Sequence, residues 1–209
     1  MEYVTREMLA GGETLLQLKN TFLNEQSGGN FMAMLACIMD SVVWVPGKLV
    51  LSDEDMNQVI GGHVGDVLRN SDAVRFVPTL FEIASGEGNG PKSHYYPMFT
   101  NEAQIPRDFS DSNSLVAMTG AECIRRARAS KDAAGVVLDP FTESCTMPMN
   151  YVELIDKLQS RLSPEDQAED KVHPVKTMKL VLPKDDEAAA AMEDAERARA
   201  AQAGPVKPN

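Results

Sequence analysis

Over residues 13–26 the large apolar side chains fall at Leu15, Leu16, Leu18, Phe22 and Leu23, a spacing that gathers them on one face of an α-helix. Gly28–Gly29 interrupts the pattern. The run 31–39 that follows is apolar nearly all round, so a buried helix is expected there, with Asn30 as its N-cap. Residues 41–45 cluster β-branched side chains around Trp44 and predict a strand ended by Pro46–Gly47. Ser52 with Asp55 has the form of a capping box and predicts a short helix over 53–60, closed by Gly61–Gly62. Two apolar runs, 74–83 and 95–99, flank the glycine-rich SGEGNGPKSH and predict a hairpin with a long loop.

Residues 114–118 read as another strand and 120–130 as a helix with Ile124 and Ala127 inward and Arg125, Arg126 and Arg128 outward. The short, fully apolar run 135–138 has the character of a buried strand. Asn150 with Glu153 repeats the capping-box pattern ahead of Tyr151, Val152, Leu154, Ile155, Leu158 and Leu162, an amphipathic helix that would close a domain of residues 1–163. Residues 164–209 are then expected as a charged linker, one added strand at 175–182 and an Ala/Glu/Arg-rich tail, either a solvated helix or disordered. The mixture of hairpins and crossovers predicts an α+β (mixed α/β) class, with a single sheet of about five strands and helices packed on it.

Charge narrows the partners. Across 209 residues, 31 acids against 20 bases leave −11, the wrong sign for neutralising phosphates, so nucleic acid is excluded as a partner and an anionic membrane surface is disfavoured. A basic protein or a small molecule remains electrostatically acceptable. The longest apolar run stops at Asp40, about half of what a bilayer needs, so no membrane span is expected. Cys37, Cys123 and Cys145 form no CxxC pair and suit a reducing compartment, which makes the cytoplasm the expected location.

Catalytic signatures are missing. Gly86, Gly88 and Gly90 alternate in a loop without a following GK[ST], the single histidines His63, His94 and His173 have no ligand spacing, and neither GxSxG nor a GxGxxG after a strand occurs. Asp108 and Asp111 sit among turn formers. Cys37 should be an inert core thiol, while the polar context of Cys145 would allow exposure. The expectation is a non-enzymatic chain without metal or cofactor. The features left to explain are apolar and aromatic: Trp44, Tyr95, Tyr96, Met98, Met147 and Met149 either pack in the core or form an adaptable surface for another protein. A sensor or enzyme built from the Gly86–Gly90 loop with His94, Tyr95 and Tyr96 is the second hypothesis, and a secretion-associated factor the third.

Several short pieces occur in a telling order: the apolar helix from Asn30–Phe31 into Ser41-Val-Val-Trp-Val-Pro46, then Phe76-Val-Pro-Thr-Leu80, Tyr96-Pro-Met-Phe-Thr-Asn101, and Gly135-Val-Val-Leu-Asp-Pro-Phe141. Over roughly residues 15–160 this pattern resembles the amino-terminal domain of SseB-family proteins, named for enhanced serine sensitivity. The resemblance implies a small bacterial α/β module of regulatory or protein-binding type and carries no catalytic residue. A type III secretion translocon component shares the name, and a shared name transfers no role. Locally, Thr100 or Asn101 is expected to cap the segment after its strand, and Asp139–Pro140 to form a turn. If 135–138 is a buried strand, Val137→Asp abolishes cooperative unfolding, because an unpaired core charge is costly. A soluble variant melting like the parent would place the strand elsewhere.

Overall fold

A computed structural model describes residues 4–50, 75–84, 91–155, 157–172 and 177–179. Helices are α1 (Arg6–Leu9), α2 (Glu13–Asn24), α3 (Gly28–Asp40), α4 (Arg107–Ser110), α5 (Gly120–Ala129), α6 (Met149–Ile155) and α7 (Pro164–Val172). Strands are β1 (Val42–Val50), β2 (Arg75–Pro78), β3 (Phe81–Ala84), β4 (Lys92–Met98), β5 (Ser114–Thr119), β6 (Ala133–Leu138), β7 (Cys145–Pro148) and β8 (Thr177–Lys179). Residues 1–179 form one compact unit. The expected helix at 53–60, the loop 85–90 and the tail from 180 lie outside the described residues.

The α+β class holds, but the strands form two four-stranded ladders rather than one sheet of about five. Their orders are β2-β1-β5-β8 and β3-β4-β6-β7. The ladders meet at one antiparallel bridge, where Trp44 and Phe99 exchange backbone hydrogen bonds of 3.0 and 2.9 Å. The run expected as one strand over 74–83 bends at Thr79–Leu80, so β2 pairs with β1 and β3 pairs with β4. Pro46–Gly47 does not end β1. The carbonyl of Pro46 accepts the Thr79 N–H at 3.0 Å, and in an antiparallel strand a residue's N–H faces the same side as its C=O. The donor proline lacks therefore falls where β2 gives way to β3, and no ladder bond is lost. Gly47 has its own reason: a Cβ there would stand 2.6 Å from the Phe76 ring.

Alternate residues of five strands form the main core: Val43 and Val45, Tyr96 and Met98, Val116 and Met118, Val136 and Leu138, Cys145 and Met147. Leu15 of α2, Met34, Leu35 and Ile38 of α3, Cys123, Ile124 and Ala127 of α5, and Val152 and Ile155 of α6 cover them. Ser27, not Asn30, caps α3. Its Oγ accepts the Asn30 N–H at 3.2 Å, and the Asn30 amide instead donates to the Glu25 carbonyl at 2.9 Å. Thr119 caps α5 by accepting the Glu122 N–H, and Glu122 pairs with Arg125 and Arg126. Burial works to raise the Glu122 pKa, but hydrogen bonds from Arg126 and Arg125 outweigh it and hold the carboxyl below its usual range.

The C-terminal part differs most from expectation. The helix after β7 begins at Met149 and ends at Ile155, so Asn150 lies within it. Residues expected as a charged linker form α7, because Ser163 caps them: its Oγ accepts the Asp166 N–H at 3.1 Å and donates to Asp166 Oδ2 at 2.8 Å, with Pro164 in the first helical turn. Val4 bridges Leu162 in parallel, and the buried Asp40 at the end of α3 accepts the Arg161 N–H at 2.8 Å while Arg6 donates to its carbonyl. Asp40 thus ties α1 and the segment ahead of α7 to the end of α3. Asp40→Ala leaves the Arg161 N–H without its acceptor and should lower stability by about 1–3 kcal/mol, read from urea unfolding. An unchanged midpoint would mean that this seam contributes nothing.

Candidate functional site

The ends of β4 and β6 are joined by buried charge. Lys19 is 1% exposed and Asp139 0%, and Lys19 Nζ donates to Asp139 Oδ2 at 2.7 Å. Asp139 also accepts the Thr100 N–H at 2.8 Å and the Thr100 hydroxyl at 3.1 and 3.2 Å. Its own N–H donates to the Met98 carbonyl at 2.8 Å, crossing from β6 to β4. Among the described residues it is the one non-glycine at positive φ, 51°, a left-handed conformation that aspartate tolerates better than most. Gly12, at φ 78°, lets the turn before α2 lie against this junction, since a Cβ there would stand 1.8 Å from the Thr100 carbonyl oxygen. The carboxylate is therefore matched by one cation and three donor contacts from Thr100, as a buried ion requires.

That left-handed turn aims the chain at the second sheet face. Two residues beyond Asp139, Phe141 stacks on Phe99 with centroids 5.9 Å apart and meets Phe109 at 4.8 Å and Phe81 at 5.2 Å. Thr142 is tied down beside it, its N–H to the Asp139 carbonyl at 3.2 Å and its hydroxyl to Gln104 Oε1 at 2.9 Å. Phe99, Ile105 and Leu115 are buried here, with Trp44, Phe81 and Phe109 packed half-buried against them. Phe141 stays 42% exposed. Four phenylalanines thus form a preassembled aromatic face whose outermost ring meets solvent.

A family model described as the SseB protein N-terminal domain matches residues 17–154. The chain belongs to the SseB family. No curated protein and no solved structure matches it. The matched segment contains Lys19, Thr100, Asp139 and all four phenylalanines, so the junction and the face above it are built within the SseB domain.

The six residues singled out from the sequence do not share one surface in this SseB domain. Tyr96, Met98 and Met147 are core residues, 0–1% exposed. Burial drives the Tyr96 phenol well above its usual range. Met149 is half-buried on the helix side, close in sequence to Tyr151, whose ring meets Phe31 at 5.3 Å. Trp44 and Tyr95 are the two that lie on the aromatic face, Tyr95 standing opposite Phe81 in the β3–β4 ladder. His94 is exposed and Tyr96 buried, and Tyr95 points to the other face of β4, so these three do not converge on a ligand. The Gly86–Gly90 loop, His63 and His173 lie outside the described residues. Among the described residues no cluster has the composition of a metal site, and no helix is long and apolar enough to cross a membrane.

Two expectations need correcting. Cys145 is buried despite its polar context, because alternation in β7 turns it and Met147 inward, whereas Cys37 is only half-buried. Neither Thr100 nor Asn101 caps the next segment with its side chain, since the Thr100 hydroxyl is committed to Asp139. The sequence reading missed Lys19, although a signal was present: Lys19 lies four residues after Leu15 and four before Leu23, on the apolar side of its helix.

Lys19→Met leaves a buried carboxylate without its cation and should cost about 3–5 kcal/mol, with partial recovery in Lys19→Met/Asp139→Asn. Equal losses in the single and double variants would show that the pair is not coupled. Burial pushes the Cys145 thiol from 9.0 up to about 11, with Lys19 opposing and Asp139 reinforcing the shift. The folded state then holds a proton that the unfolded chain releases. Stability present below pH 9 is expected to fall as pH rises toward about 11, and Cys145→Ala should flatten part of that decline in urea midpoints.

Proposed function

We propose that this SseB-family chain is a non-enzymatic, protein-binding module of the bacterial cytoplasm whose aromatic face receives a basic partner. The observation that carries the proposal is Phe141, a large apolar side chain left 42% exposed on a cluster of rings that the Asp139 turn holds in place. Aromatic anchors supported by packed neighbours contribute most of the energy in protein interfaces, and a prearranged face loses little entropy on binding. The excess of 31 acids over 20 bases favours a basic partner and rapid encounter with it. Three free thiols fit a reducing compartment.

The test is affinity recovery of the tagged, full-length chain from its host at low and high salt, compared with Phe141→Asp. Partial exposure at Phe141 should let the variant fold, as its thermal melt will show. Recovery of one salt-sensitive protein that falls at least about tenfold with Phe141→Asp is the expected result. Undiminished recovery would remove the aromatic face from the interface, and a retained metabolite without protein would replace this function with a sensing one.

A further inference from the structure

The ring of Phe99, fully buried, lies nearly parallel to that of Phe141, with 17° between their planes and centroids 5.9 Å apart. Phe109 and Phe81 meet Phe141 at the steeper angles of 62° and 75°. Because Phe99 occupies one face of the Phe141 ring, its exposure falls on the other face and the adjoining edge. The ring is thus supported by three others and open on one side. An aromatic face carries negative charge density and attracts a cation placed over it.

Three short segments meet at this ring: 102–105, 107–111 and 141–144. The first is fastened to the third by the hydrogen bond of 2.9 Å from the Thr142 hydroxyl to Gln104 Oε1, and the second reaches it through Phe109, whose centroid lies 4.8 Å from that of Phe141. Together they carry four exposed carboxylates, Glu102, Asp108, Asp111 and Glu143, against one exposed base, Arg107. None of the four is ion-paired with another described residue. Arg125, Arg126 and Arg128 belong to α5 in the helix layer, across the strands from this face, and do not offset the local excess. An open ring and a rim of uncommitted carboxylates therefore stand side by side.

We propose that Phe141 and its acidic rim form an arginine-recognition site, at which a separate partner protein lays a guanidinium group over the open face of Phe141 and donates from its edge to the neighbouring carboxylates. This rests on the protein-binding function above and specifies which side chain of the partner is read. A guanidinium is planar, so it stacks flat on a ring while its N–H groups stay free to donate in the ring's plane. It is also more weakly hydrated than an ammonium and gives up less on leaving water. Lysine answers the charge of the rim but cannot make the stack.

The experiment measures fluorescence anisotropy of three fluorescein-labelled peptides, GSRARSG, GSKAKSG and GSQAQSG, with the full-length chain. The arginine peptide should bind at least about threefold more tightly than the lysine peptide and at least about tenfold more tightly than the glutamine peptide. Phe141→Leu should erase the preference for arginine over lysine, whereas Phe141→Trp, with a stronger π-face, should widen it. E102Q/D108N/D111N/E143Q should weaken both cationic peptides at least about fivefold while melting like the parent. Equal binding of the arginine and lysine peptides, or a preference that survives Phe141→Leu, would overturn the proposal. Should Phe141→Leu fail to fold, the native chain's own ranking of the peptides and the quadruple variant still decide it. Free arginine displacing the peptide at the peptide's own half-saturating concentration would make the ligand a small molecule, and self-association lost in the quadruple variant would seat a second copy's arginines on the face. Either result overturns docking of a separate protein. A partner recovered from the host whose capture falls with Phe141→Asp, yet stays unchanged when its arginines are replaced by lysine, would overturn arginine recognition and leave the protein-binding function intact. Capture indifferent to Phe141→Asp would remove both.

Discussion

A single buried carboxylate holds together parts of the chain that are far apart in sequence. Asp139 ends β6, takes the ammonium of Lys19 from α2, and binds both the N–H and the hydroxyl of Thr100 beyond β4. A charge in that position is tolerable only because every one of those donors arrives. The demand works in both directions: α2 must lie where Lys19 reaches, Gly12 must let the preceding turn approach Thr100, and the backbone at Asp139 must turn left-handed. The helix layer, the sheet and the following loop are therefore coupled through one side chain.

The same turn determines what the outer sheet face offers. Helices pack on one face of the strands, and on the other the rings of Phe81 in β3, Phe99 after β4, Phe109 in α4 and Phe141 in the loop after β6 collect. Their packing against one another leaves Phe141 partly in water. Beside this face the β5 edge is capped by a strand from outside the family-matched region. Both features are built from apolar surface and backbone geometry.

Much of the architecture was legible in advance. The 3.6-residue spacing of Leu15 through Leu23, the apolar run before Asp40, and Ile124 with Ala127 located three helices, and the apolar run at 135–138 located β6. Each of these signals is local, because burying one face of an element dictates its own period. Departures came where a local rule met a distant partner. Pro46–Gly47 was expected to end β1, but the missing donor fell beside the corner at Thr79. Residues 164–172 were expected as linker because their charge dominated, while the Ser163 cap formed the helix.

The candidate site was less visible for a related reason. Tyr96, Met98 and Met147 attracted attention as aromatic or flexible side chains, and alternation in their strands sent all three into the core. Lys19, Thr100 and Asp139 are unremarkable one by one and acquire meaning only when α2, β4 and β6 bring them within hydrogen-bond reach. The sequence by itself determined the class, the order of most elements, the acidic surface and the family pattern, since composition and periodicity are properties of the chain alone. Tertiary structure decided the division into two ladders, the pairing of Lys19 with Asp139, the exposure of Phe141 and the capping of β5, because each depends on which distant residues meet across space.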